Sequence, residues 1–271
     1  MSKSRHSHTA TGHFYMVSAS ISILIIIALN RFFGVPLLPD MFTWRSMLLT
    51  ICAALLACIS NMIVMYVMGF KASALYLTFS LLGFSISFLW SVFFLGMKIS
   101  AVNVFGLFCL IAAMFMAKSG KSDSRNKTDL RLLGLTMLST FAQGVMQILY
   151  MTPCEHPFPP VGKTLLVVAT YVVFWFVVEL FKKKKSLPDF KVLLVPSLIW
   201  GVLAVSAYFT LFMALMYLGD AGRLGIAYPI GVTTQILLFT FYTWIFLKEK
   251  LSPWQMAAMG CILVGIFAVK C

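Results

Sequence analysis

The chain reads as an all-α polytopic membrane protein of about nine transmembrane helices, ten if one is hidden by poor hydropathy, arranged as two inverted structural repeats. Three observations predict this. Hydrophobic residues make up 61% and charged residues 11% of the 271 positions, whereas a soluble domain carries about 25% charged residues. Apolar stretches of membrane-spanning length recur along the whole chain. Finally, one hairpin is written twice. Phe94-Leu95-Gly96-Met97-Lys98-Ile99-Ser100 returns 152 positions later as Phe246-Leu247-Lys248-Glu249-Lys250-Leu251-Ser252, each in a short polar turn between apolar runs. Held at that shift, Tyr76 falls on Tyr228, Lys71 on Arg223, Cys109 on Cys261, Phe115 on Phe267 and Lys118 on Lys270. Residues 71–119 share 8 identities in 49 positions with their copy, and the register of apolar runs and flanking cations strengthens the match. A duplicated membrane half is the sequence mark of a secondary transporter, whose site lies between pseudo-symmetric repeats.

The spans follow in order. A polar tail, residues 1–13, precedes the first apolar run, Phe14–Phe33, which no small-residue cleavage site follows, so it reads as a retained helix. Met41–Met68 is long enough to tilt. Ala72–Leu95 starts after Lys71 and closes on the repeated turn. Ala101–Ala117 ends at the basic linker, whose stretch Lys118–Arg131 holds five cations and two aspartates. Leu132–Met151 runs to the proline-rich loop Cys154–Pro160. Thr164–Phe181 stops at Lys182–Lys185, and Val192–Leu218 is the second long span. Leu224–Leu247 begins after Arg223 and closes on Lys248-Glu249-Lys250, and Pro253–Val269 ends at Lys270. The organisation expected is thus a tail (1–13), a first repeat of about four helices (14–119), a linker (120–131) and a second repeat of five (132–271). At the shift of 152, spans one to four fall on spans six to nine. An offset of five spans inverts the second copy.

The net charge of +13 does not indicate nucleic acid, because the cations sit almost wholly in the turns, where they meet anionic lipid and orient the chain. With the N-terminus inside, the inner segments hold fifteen Lys and Arg and the outer segments six, which favours that orientation and places the C-terminus outside. Five of the six cysteines lie in or at the edge of apolar helices and none forms a CxxC, so neither a disulfide framework nor a zinc site is indicated. The adjacent Cys154, Glu155 and His156 are badly spaced to wrap one metal. No metal or cofactor is expected.

The last 50 residues are similar to the C-terminal hairpin of the drug/metabolite transporter superfamily in its EamA-type branch. The matching residues are Ala227-Tyr228-Pro229, then Leu247-Lys248-Glu249-Lys250-Leu251-Ser252-Pro253-Trp254-Gln255, then Gly260 and Leu263-Val264-Gly265. The first copy departs from this pattern, with Met97 where Glu249 stands and Leu77 where Pro229 stands. The resemblance implies a carrier of ten helices in two inverted five-helix halves, without a prosthetic group. Nine spans mean that the first helix of the first half is missing here.

Chemistry within the spans is amide, hydroxyl and aromatic. Asn61, Tyr76, Ser80, Gln143, Gln147, Trp200, Tyr208, Tyr228 and Gln235 are the candidate substrate-binding residues, with Arg223 as a seat for a carboxylate or phosphate. Gln143 and Gln147 lie one turn apart on one helix face. Each such group is more often helix-to-helix glue, at about 0.6 kcal/mol on average. As a set they suit a polar cavity for a neutral or zwitterionic solute. Glu249 is the acid of the repeated turn and the gating or coupling candidate; its plain reading is a turn carboxylate beside Lys248 and Lys250. Glu179, near the end of its span, is expected to snorkel toward the interface. Ala257, Cys261 and Gly265 repeat every fourth residue, a small-residue packing face. With no acid near mid-span, proton-for-cation exchange of the kind carried by small multidrug resistance proteins, which the superfamily resembles, is disfavoured.

The function expected is a secondary carrier for a small polar organic solute, such as an amino acid, amine or related metabolite. Its partners would be that small-molecule substrate, the lipid bilayer and a coupling ion. A flippase for a lipid-linked or phosphorylated head group is the second reading. A membrane enzyme would need convergent His, Asp, Glu or Ser groups at mid-depth, and none is expected. A non-transporting scaffold would leave the polar set unexplained. The bacterial cytoplasmic (inner) membrane is the expected location.

Overall fold

The computed structural model describes residues 3–37, 44–68, 83–119, 130–153, 157–181, 190–232 and 253–270, with single positions 234, 238 and 245. These hold eight α-helices and one 3₁₀ turn, and no strand occurs among them. The helices are α1 (Lys3–Phe33), α2 (Trp44–Met68), α3 (Gly83–Phe94), α4 (Ala101–Ser119), α5 (Leu130–Met151), α6 (Pro160–Leu180), α7 (Phe190–Asp220) and α8 (Pro253–Lys270); the 3₁₀ turn Leu224–Ile226 leads into helical residues 227–232. Stretches within α1, α2, α6 and α7 are long and apolar enough to cross a membrane, consistent with a helical membrane protein. Their outward faces carry exposed Phe32, Val173 and Leu203, as lipid contact allows.

Two described boundaries differ from expectation by more than two residues. Helix α1 starts at Lys3, well ahead of the apolar run, so the polar tail supplies the first turns of the same helix. Helix α6 starts at Pro160 rather than Thr164, because a proline at the first helical position gives up no intrahelical hydrogen bond. The N-terminal part of the third span, half of the eighth and residues 120–129 of the basic linker lie outside the described residues.

Turn chemistry sets the other ends. Gly34, Gly96 and Gly222 adopt φ of 63°, 66° and 67°, the left-handed conformation that stops a helix. After α3, the Leu95 and Met97 amides both reach back to the Ser91 carbonyl. Ser100 then caps α4. Its amide and hydroxyl donate to Asn103 Oδ1, and its Oγ accepts from the Asn103 amide, a capping box with Asn in the acidic position.

The chain divides into two compact units. The first comprises residues 1–58 and 149–217, the second residues 59–148 and 218–271. In the first, α1 packs along α6 and closely against α7. Ser22 Oγ donates to the Gly201 carbonyl at 3.0 Å, and a Cβ at Gly201 would sit 3.0 Å from the Ser18 carbonyl oxygen. In the second, α4 packs along α8. Leu110 fits over Gly265, and Ala113, Ala258 and Ile262 form a buried seam. Of the small-residue face expected at Ala257, Cys261 and Gly265, Cys261 and Gly265 pack in this seam, whereas Ala257 is exposed and Ala258 is buried. Phe88, Met97, Leu110 and Ile226 make a further core that joins α3, the turn, α4 and the 3₁₀ segment.

Candidate functional site

Helix α6 gathers most of the chemistry in the first unit. Lys163, Val167, Tyr171, Trp175 and Glu179 follow at steps of four, each close to the next, in a stripe that winds gradually round the helix over about 24 Å. Each polar or aromatic member meets a partner. Glu179 Oε1 lies 3.5 Å from His13 Nδ1 of α1. Trp175 stacks on Tyr15 of α1, with ring centroids 5.3 Å apart and planes 10° apart. Trp200 of α7 closes this cluster against Phe14 and Tyr15. One turn on, Tyr208 of α7 donates its hydroxyl to that of Tyr171 at 3.2 Å. Tyr208 stacks on Phe212, and Phe212 meets Tyr150 edge to face. Lys163 Nζ stands 5.7 Å from the Phe212 ring, within cation–π reach.

The spacing on the two helices is matched. On α7, Trp200, Tyr208 and Phe212 are also spaced in multiples of four. Trp200 is paired with the Trp175 level, Tyr208 with Tyr171 and Phe212 with Lys163, as antiparallel neighbours require. The file carries a cation at one end and a His–Glu pair at the other, with phenols and indoles between. Aromatic faces hold ammonium groups, a lysine holds a carboxylate, and phenols exchange hydrogen bonds with either.

Of the expected binding residues, Tyr208 lies within this file and Trp200 at its edge. Gln147, Tyr228, Gln143, Asn61 and Arg223 belong to the second unit. Gln147 is buried and its Oε1 accepts from Ser87 Oγ at 2.7 Å, a bond that ties α5 to α3. Gln143 packs where Gly83 comes closest, its Cβ 2.9 Å from the position of a Cβ there. Tyr228 is buried beside the 3₁₀ turn, Arg223 is exposed at that turn, and Asn61 is half-buried in α2. A second hydroxyl stitch joins Ser60 to Ser139 at 2.7 Å. Ser206 bonds back to the Val202 carbonyl on an exposed face of α7. Tyr76, Ser80, Gln235, Glu249 and the loop residues Cys154, Glu155 and His156 lie outside the described residues.

The sequence reading overlooked Tyr15, Tyr150, Lys163, Tyr171, Trp175 and Phe212 as site residues. It expected Glu179 to snorkel. Its side chain is instead 14% exposed and held by His13, itself 17% exposed. The step of four along α6 was the available signal. Among the described residues, no group of three or more potential metal ligands is found.

No protein-family model matches the chain, and no curated protein matches it. Among solved structures, 21 chains match. One, a crystal structure of a protein, superposes with a TM-score of 0.69 at 14% identity, over 98% of this chain and 91% of its own. At that identity the likeness shows a shared fold alone.

Proposed function

We propose that the chain is a secondary transporter of EamA-like type, which moves a small polar organic solute such as an amino acid, amine or related metabolite by alternating access. The observation that carries this reading is the pairing of symmetry mates. The shift of 152 carries Ala101, the first residue of α4, onto Pro253, the first of α8, and lays α1 on α6 and α2 on α7. In each unit the mates pack on one another, α1 on α6 and α4 on α8. Each compact unit also draws the corresponding portion of both copies. A chain built from two inverted repeats is expected to pair its mates in this way, and substrate sites of such carriers lie near mid-membrane between repeats. The phenol pair Tyr171–Tyr208 bridges α6 and α7, with Trp175 and Phe212 beside it. It is the seat proposed for the solute, with Lys163 at the end suited to a carboxylate.

The test is a thermal-shift screen of the purified protein against amino acids, amines, nucleosides and sugar phosphates. A solute at 100 times its dissociation constant adds about 2.7 kcal/mol of stability. Stabilisation by zwitterions or amines, lost in Tyr171→Phe and Tyr208→Phe, supports the reading. Stabilisation by phosphorylated or lipid-linked compounds alone, lost in Arg223→Ala, would replace it with a translocator of head groups.

A further inference from the structure

A carboxylate inside an apolar helix pair costs several kcal/mol unless it is paired. Glu179 meets that demand with His13, across the α1–α6 contact and near the limits of both apolar stretches. Imidazole is the side chain that gains or loses a charge most readily near neutral pH. The contact is an ion pair only while that imidazole carries its proton. The pair is also adjacent to the solute file: Tyr15 is two residues from His13, and Trp175 is one helical turn from Glu179.

We infer that His13 and Glu179 form a proton-binding site that latches α1 to α6, and that this is where a proton gradient is coupled to solute movement. As a coupling site it rests on the transporter reading; as a proton-operated latch it does not. Glu249, the gating or coupling candidate of the repeated turn, lies outside the described residues. Titratable groups near the pair include Tyr15 on α1, and further along the file Tyr171 on α6 and Tyr208 on α7. Phenols keep their protons across pH 5 to 8. Lys182–Lys185, Asp189 and Lys191 follow in the chain beyond the described side chains. The step is proton binding alone: the proton sits on the imidazole in the latched state and leaves to water as the helices part.

The latch is tested without any solute. Nitroxide labels at Ser20→Cys and Phe176→Cys, in a background without the native cysteines, report the α1–α6 separation by pulsed electron resonance in lipid nanodiscs. The separation is expected to lengthen between pH 5.5 and pH 8.5, and the response is expected to vanish in both Glu179→Gln and His13→Gln. A separation that ignores pH, or a response that survives both variants, overturns the latch. Should Glu179→Gln not fold, His13→Gln alone decides. Coupling is read in liposomes loaded with a carbon-14 mixture of the twenty L-amino acids. Glu179→Gln, reconstituted as monodisperse protein, is expected to abolish accumulation driven by a pH gradient. A pH response with no transport of any labelled compound would remove the amino-acid form of the transporter reading and leave the latch standing. Gradient-driven accumulation that persists in the variant would remove the coupling role.

Discussion

Gly265→Ala isolates the seam between α4 and α8. An added Cβ would stand 2.5 Å from Leu110 Cδ2, 2.8 Å from its Cγ and 3.0 Å from the Gly106 carbonyl oxygen. Carbon pairs sit comfortably at about 3.5–4.0 Å, so the leucine end must retreat by about 1 Å. Leu110 is fully buried, and the backbone oxygen blocks a purely side-chain escape. The expected loss is that of overpacking, about 1–3 kcal/mol. Its assay is thermal unfolding in detergent followed by tryptophan emission. One kcal/mol moves Tm by about 2–4 °C in a domain of 150–250 residues. Gly260→Ala on the same helix is the control: nothing lies within 4 Å of a Cβ there, so it is expected to be neutral or to gain up to about 1 kcal/mol from helix propensity. Leu110→Ala alone is expected to cost about 2–5 kcal/mol through its cavity. Combined with Gly265→Ala, which refills part of that space, the total is expected to fall short of the sum by about 1–2 kcal/mol. A Tm unchanged by Gly265→Ala, or losses that simply add, would refute the packing account.

Gly162→Ala is expected to be the most damaging glycine change in the first unit, because its Cβ would collide with the Leu37 backbone carbonyl, which no rotamer relieves; expression and monodispersity report it. Ser87→Ala removes the donor to Gln147 and is expected to cost about 0.6–1.7 kcal/mol, measured by the same unfolding assay. Tyr208→Phe removes the hydroxyl given to Tyr171. Its stability loss is expected to stay within about 1 kcal/mol while the solute-induced thermal shift disappears; a retained shift would move the solute seat elsewhere.

Span positions were readable because apolar length and the flanking cations act locally. The run ending at Phe33, the turn at Gly96 and the start of α8 at Pro253 all follow from nearby residues. The capping of α4 by Ser100 and Asn103 is similarly written in four consecutive positions. The site was harder to read. Tyr15, Trp175 and Trp200 are brought together from three helices, and nothing local to any of them announces the others. Gln147 was read as a candidate from its polarity, but its carbonyl is committed to Ser87, sixty positions away. Glu179 was judged by its lysine neighbours in sequence, whereas its partner His13 stands 166 positions earlier. Pairing across helices depends on which faces meet, and hydropathy does not encode that.

The pairing of α4 with α8 and of α1 with α6 also bears on how the chain is made. Neither compact unit is a contiguous stretch: the first needs residues out to 217, the second the last residues of the chain. While the first half is leaving the ribosome, α1 and α4 have no α6 or α8 to pack on. Leu110 and Ala113 stay uncovered on that side until α8 is made. A fragment ending at the basic linker would hold half of each unit and the whole of neither. Split at that linker, the two pieces are expected to survive degradation only when produced together in one membrane.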